Sequence, residues 1–323
     1  MSILTLVALV LVVFLVLAAL CLRQGAKWAK LRHPHFLLAV LVTILSLCVG
    51  VIAWSAIAYD SRIETFRPGG VFIAVLLMVF SPWLFIRLLC GGPILRSMFA
   101  WLVFLAGEVV IGLALLFGVI PMLLDAYRVI DESMAPTIRS GHILAECPRC
   151  GAEFVMSELA PDRHAKEGAP GICERCFHTD RIESPFRPQK HLPDLVLCNK
   201  TVAPKRWDVV LFRDPLDSKL FKIDRVVGLP GEELEIRDGA VWVNGTKQTP
   251  PSTIGPVTYA IHLPPLGAYA KLPLRLEPDQ FYVLGDNPES AFDSRFWGGL
   301  ARTEIVGVAD VICWPPRRWR VLP

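Results

Sequence analysis

The chain has 323 residues, 53% of them hydrophobic, with a mean hydropathy of +0.47 and a formal net charge of +3. That apolarity excludes an ordinary soluble protein, and a charge so near zero gives no argument for nucleic acid as a partner. The length has room for one membrane region plus one or two folded units.

The apolar residues are concentrated in the first 125 positions. Ile3 to Leu22 and Phe36 to Tyr59 carry no charge. Val71 to Cys90 is interrupted only by Arg87, which can snorkel, and Met98 to Leu124 only by Glu108. A helix crosses the hydrocarbon with about 20 apolar residues, so four spans are expected. The first run lacks a basic n-region and is read as a retained span rather than a cleaved signal peptide. Glu108 is a functional candidate by its depth, although a protonated side chain facing another helix is the favoured reading. Arg23, Lys27, Lys30 and Arg32 lie in the first link, and Arg96 lies in the third. The second link holds only Arg62 and Arg67, offset by Asp60 and Glu64. This asymmetry predicts cytoplasmic odd-numbered links and an outer location for everything after Leu124.

After Tyr127 short β-type runs are separated by Pro and Gly. Strands are expected at Ile143-Leu144, Leu195 to Cys198, Val209 to Phe212, Val226-Val227, Val241 to Val243, Phe281 to Leu284 and Ile305 to Ile312. Asp238-Gly239 and Asn244-Gly245 read as hairpin turns. Gly255 to Pro273 reads as a long connection or a small extra hairpin. The tail from Trp314 to Arg320 mixes Trp with Arg, which suits a membrane interface or a plain exposed tail equally.

Two Cys-x-x-Cys knuckles, Cys147/Cys150 and Cys173/Cys176, approach the spacing of a zinc ribbon. Each knuckle sets two thiolates on one turn, and two turns complete a tetrahedral, closed, structural site. Disulfides are the competing reading for an outward-facing segment. The spacing favours zinc. His164, His178 and His191 read as solvated loop residues.

Three further segments carry chemistry in combination: Asp131-Glu132-Ser133-Met134-Ala135-Pro136-Thr137, then Arg225-Val226-Val227-Gly228-Leu229-Pro230-Gly231-Glu232, then Gly285-Asp286-Asn287 with Asp293-Ser294-Arg295. They resemble the signature segments of type I signal peptidases, membrane-anchored serine proteases that use a lysine base. The likeness runs from Tyr127 to the C-terminus, outside the cysteine segment and residues 255–273. The apolar runs give four transmembrane helices in residues 1–125, and the likeness implies that 126–323, extracytoplasmic by the Lys and Arg count, is a mostly β domain of signal-peptidase type. A zinc-ribbon-like insertion at 147–194, which the common type lacks, interrupts that domain.

The resemblance implies that Ser133 is the nucleophile and that its amide contributes to an oxyanion hole. Asp131 stands where the family often has a hydroxyl or another donor. An anion disfavours an oxyanion, so its side chain is expected to turn away. The family's lysine directly precedes the arginine of the second segment, and here that position is Asp224. Lys222 shares its strand face, about 6–7 Å farther along, and is ranked as a displaced base above Asp224. Against it, Asp224 favours the charged ammonium, whereas a base must be neutral. The family's polar partner of the lysine falls at Ala291, with Ser290 adjacent. Asp293 and Arg295, and Asp286 with its turn, read as supports of the site, as does Arg225.

The function so implied is removal of signal peptides from exported preproteins, through an acyl-enzyme, in contact with the lipid bilayer. No catalytic cofactor or nucleic acid takes part, and zinc is structural. The alternative is a catalytically silent membrane protein that binds exported segments.

Overall fold

The computed structural model describes residues 3–53, 59–60, 65–66, 68–157, 169–182, 189–251, 254–259 and 273–322. The chain divides into two compact units, residues 2–122 and 123–323.

The first unit is helical: α1 (Ile3–Trp28), α2 (Phe36–Ala53), a minimal hairpin of β1 (Tyr59–Asp60) and β2 (Thr65–Phe66), α3 (Pro68–Phe85), α4 (Ile94–Ala114) and α5 (Ile120–Leu123). Four of its helical runs, Thr5–Trp28, Phe36–Ala53, Val71–Cys90 and Ile94–Leu123, are long and apolar enough to cross a membrane. The second ends at Ala53, so Tyr59 belongs to the hairpin and not to the span expected to reach it. Pro82 lies inside α3 and removes one backbone donor, and a π-helical turn, Ile86–Cys90, follows. Two polar side chains of α2 bond within their own helix: Thr43 donates to the Ala39 carbonyl at 2.9 Å and Ser46 to that of Val42 at 2.8 Å. An apolar environment demands such internal partners.

The second unit is β-rich. Its strands are β3 (Leu124–Arg128), β4 (His142–Glu146), β5 (Glu153–Ser157), β6 (Ala169–Cys173), β7 (Thr179–Ile182) and β8 (Lys190–His191). There follow β9 (Leu195–Asn199), β10 (Val209–Arg213), β11 (Phe221–Gly228), β12 (Glu233–Arg237), β13 (Ala240–Val243) and β14 (Thr246–Lys247). The last are β15 (Leu274–Arg275), β16 (Gln280–Leu284), a helical turn α6 (Ser294–Trp297), β17 (Leu300–Ala301), β18 (Ile305–Trp314) and β19 (Arg320–Val321). The main sheet runs β17-β16-β11-β10-β18-β9-β3, with β19 also paired to β18. Its strands alternate between two apolar layers. Val209, Leu211 and Ile223 face a core with Met134, Ile138 and Ile312, while Val210, Phe212 and Val226 face another with Val283, Leu300 and Val308. Each such buried side chain contributes about 1.5–3 kcal/mol.

Asp238-Gly239 joins β12 to β13, and Asn244-Gly245 joins β13 to β14. All four residues have φ between 49° and 75°, the left-handed conformation that a tight hairpin turn needs. The cysteine segment forms its own five-stranded sheet, β7-β6-β5-β4-β8. That sheet starts with β4, so Ile143-Leu144 belongs to the inserted unit rather than to the main sheet. β3 begins at Leu124, where the last apolar run was expected to end. Of the 255–273 connection, residues 260–272 lie outside the described residues, as does His164. Tyr259 is buried against Val241, Leu276 and Tyr282.

Candidate active site

Three segments converge beside β11: the turn at residues 131–137, β11 itself, and the loop between β16 and α6. Gly285 makes this approach feasible. A Cβ there would lie 2.5 Å from the Ser133 carbonyl oxygen and 2.5 Å from the Ala291 Cβ. The Asn287 amide donates to that same carbonyl at 2.8 Å, tying the loop to the serine turn.

Two ion pairs fix the frame. Arg225 is fully buried and donates through Nε and Nη2 to both oxygens of Asp286, at 2.8 and 2.6 Å, and through Nη1 to the Trp207 carbonyl at 2.7 Å. Thr137 donates its hydroxyl to Asp286 at 2.6 Å, which links this pair to the serine turn. Asp293 caps α6 and accepts from the Gly285 amide at 3.0 Å and from Arg295 Nε at 2.8 Å. Arg295 also donates to the Pro288 carbonyl at 2.9 Å.

Ser133 is 6% exposed. Its hydroxyl is within donating distance of Asp131 Oδ1, at 2.9 Å, and of the Ile223 carbonyl, at 3.1 Å. Its amide also donates to Asp131 Oδ1, at 3.3 Å. The Asp131 side chain therefore turns toward the serine and occupies the amide expected to face an oxyanion, opposite to the sequence expectation. An Asx turn is the physical cause, because a short carboxylate bonds readily to the backbone two residues on.

Asp224 is 1% exposed, and its Oδ1 has no hydrogen-bond partner. Burial drives its carboxyl well above the ordinary range, and the Asp293 and Asp131 carboxylates push it further; a bond from the Ser133 side chain and the Lys222 charge pull the other way. Burial also raises Asp131, against the bonds from Ser133 and the charge of Lys222. Lys222 does share the Asp224 face of β11, since the two residues lie opposite Phe212 and Val210 of β10. Its ammonium reaches Asp214 at 3.0 Å and the Phe292 carbonyl at 3.3 Å, with the Phe292 ring centre 4.9 Å away. The structure thus brings together Ser133, Asp131, Asp224 and, behind them, Asp293. It leaves Ser290 exposed on its turn. Met134, next to the serine, is fully buried in the core.

Asp214 is the residue that sequence reasoning missed, and Asp131 the one whose orientation it misjudged. Asp214 had a usable signal: once β10 and β11 are paired with Phe212 opposite Lys222, the same face of the hairpin continues to Asp214.

In the inserted sheet the four cysteine sulfurs lie within 4.8 Å of one another and are unbridged. Cys147 and Cys176 are 3.8 Å apart, Cys150 and Cys173 3.5 Å, and Cys150 and Cys176 3.6 Å. A tetrahedron with metal–sulfur bonds of about 2.3 Å has edges of about 3.8 Å, so the cluster fits a metal ion. Gly151, at φ +70°, closes the first knuckle with its amide 2.9 Å from the Cys147 carbonyl. Burial works to raise the Cys147 thiol, but the Arg149 and Cys150 amides and the neighbouring thiols outweigh it and bring the group to about 7.

The sequence model of the family described as signal peptidase, peptidase S26, matches residues 172–314. A probable signal peptidase I-2 of Synechocystis sp. is 38% identical over 36% of this chain and 50% of its own length. Signal peptidase I of Leptolyngbya laminosa is 33% identical over 36% of this chain and 55% of its own. Signal peptidase I of Bacillus caldolyticus is 30% identical over 38% of this chain and 70% of its own. The chain spans about half the length of the first two relatives. The matched region holds β11 with Lys222, Asp224 and Arg225, together with the Asp286 and Asp293–Arg295 loop, and on these matches the chain belongs to the signal peptidase family, peptidase S26.

Proposed function

We propose that this protein is a membrane-anchored serine endopeptidase that removes signal peptides from exported preproteins. Ser133 is its nucleophile. The helical unit lies in the bilayer, and the β unit faces the extracytoplasmic side, as the Lys and Arg distribution of the links indicates. The observation that carries the reading is the Ser133 hydroxyl set 2.9 Å from a carboxylate, beside the strand that bears the family's arginine motif.

The base in this reading is a carboxyl pair rather than the expected Lys222, whose charge is held on Asp214. Two carboxyls near one hydroxyl resist double ionisation, so one of them keeps a proton. Asp224, wholly buried beside Asp293, retains it. Asp131, nearer the Lys222 charge, is the anion that accepts the Ser133 proton. Its raised pKa makes it a stronger base than an ordinary aspartate. The oxygen of Ser133 then attacks the scissile carbonyl and expels the amine, which takes the proton back from Asp131. Water hydrolyses the acyl-enzyme by the same relay. The Ser133 amide becomes available to the oxyanion as the protonated Asp131 releases it.

The test is cleavage of a preprotein by the full chain in detergent, beside Ser133→Ala and Asp131→Asn. Ser133→Ala is expected to fall to background. Asp131→Asn is expected to lose about 10²–10⁴-fold in rate. A folded wild type that binds preprotein but leaves it uncut would sink this reading. It would support a silent binding module.

For the cysteine cluster we infer a structural zinc. Four thiolates close the coordination sphere and leave no open position for chemistry. Metal analysis should find one zinc per chain, and a strong chelator should lower the melting temperature. Protein purified metal-free with unchanged melting would remove the zinc.

A further inference from the structure

The inserted sheet and the C-terminal tail enclose a second feature that signal-peptide cleavage does not use. A cavity of about 340 Å³ is lined by Arg139, Arg317, Arg318 and Arg320, with Glu153, Glu174, Leu144 and Trp319. Four guanidinium groups around one cavity repel each other. Arg139 and Arg320 are both held below the usual arginine pKa, chiefly by burial and next by the Arg318 charge.

The existing partners leave donors unmet. Arg139 is 3% exposed; its Nη atoms reach Glu153 at 3.1 Å and Glu174 at 2.5 Å, yet its Nε has no acceptor. Arg318 is matched by Asp194 at 2.8 Å through both Nε and Nη2. Arg320 bonds the Thr137 carbonyl through Nη2, and its Nε also has no acceptor. A buried N–H without a partner is rare and costly, and two of them on residues lining one cationic cavity indicate a missing acceptor. Glu153 and Glu174 do not fill that role. Their side chains are 53% and 44% exposed, so they can swing to water, while Arg139 cannot.

We propose that this cavity binds a phosphate-bearing anion, as an oxyanion set between Arg139 and Arg320 with Arg317 and Arg318 around it. Tetrahedral oxyanions suit guanidinium forks, which donate from two nitrogens in one plane. The source can be an anionic phospholipid headgroup or free phosphate. Trp319, 56% exposed on the cavity rim, has the interfacial chemistry that a lipid source requires.

Native mass spectrometry of the full chain in detergent, titrated separately with inorganic phosphate, a phosphatidylglycerol and a phosphatidylcholine, tests the site. Adducts with phosphate or phosphatidylglycerol are expected. Arg320→Gln should weaken them by about tenfold or more, the loss expected for one charge-assisted hydrogen bond. Thermal melting checks that the variant is folded, and Arg139→Gln serves if it is not. Binding of phosphate alone identifies a free-anion site. Preference for phosphatidylglycerol that weakens in Trp319→Ala identifies a lipid site. Absence of both adducts, or adducts that persist equally in a folded arginine variant, would overturn the proposal.

Discussion

Two charged clusters lie within one loop's reach of each other and are built on opposite principles. Arg225 and Arg295 each have a carboxylate of their own: Asp286 is paired with the first and Asp293 with the second. Around Ser133 the hydroxyl lies 2.9 Å from Asp131 Oδ1, and the buried Asp224 carboxyl keeps one oxygen without a partner. The first cluster fixes three segments in place. The second is where burial and like charge raise two acid groups, a departure from local stability that belongs to sites of chemistry more than to scaffolds. One feature can be removed from each, and the consequences should differ in kind.

Breaking the matched cluster should cost most in stability. Asp286→Ala leaves Arg225 buried and charged without its anion, and also frees the Thr137 hydroxyl. Removal of one partner of a buried pair costs about 3–5 kcal/mol. Denaturant titration of the full chain should show that loss. A change under about 1 kcal/mol would mean that this cluster is not the frame it is taken to be here.

The unmatched cluster should respond with the opposite sign. In the unfolded chain Asp224 loses its proton near pH 3.9, while in the fold it keeps it to a much higher pH. Between those two values the folded state holds the extra proton, so stability falls as pH rises through that window. Asp224→Asn mimics the neutral acid without the titration. It should therefore raise the melting temperature at neutral pH, and the gain should vanish at pH 3, where wild type is protonated in both states. Activity should largely survive, since the neutral form is the one assigned to Asp224. Abolished cleavage with the same stabilisation would make Asp224 the base.

Much of this arrangement was legible in the sequence where a local rule decides the outcome. The two hairpin turns follow from Asp238-Gly239 and Asn244-Gly245, and the thiol cluster from knuckle spacing. The shared face of Lys222 and Asp224 follows from strand alternation. What stayed hidden depends on partners distant in sequence or on a side chain's choice between them. Asp131 could turn either way until its Asx turn with Ser133 was seen. Lys222 had a free ammonium until β10 and β11 were paired and Asp214 came beside it. β4 looked like another core strand because its alternation does not say which sheet it joins. β3 was concealed because its first residue, Leu124, continues the apolar run of the last helix.

The smallest expected effect sharpens the comparison furthest, because it separates the two roles open to Lys222. The Lys222 ammonium lowers the Asp131 carboxyl and is itself held by Asp214. Lys222→Met keeps the stem length and removes the charge. It also releases the Asp214 carboxylate, which raises Asp131. Asp131 must be ionised to accept the serine proton, so the acid limb of the pH–rate profile should move to higher pH by about one unit, with the plateau rate nearly kept. A neutral lysine base predicts something different: near-complete loss of cleavage at every pH. Nζ is paired with Asp214 at 3.0 Å, whereas the Ser133 hydroxyl lies 2.9 Å from Asp131 Oδ1. The shape of the profile, more than the size of the rate loss, therefore decides whether this chain retains its family's lysine chemistry or works through paired carboxyls.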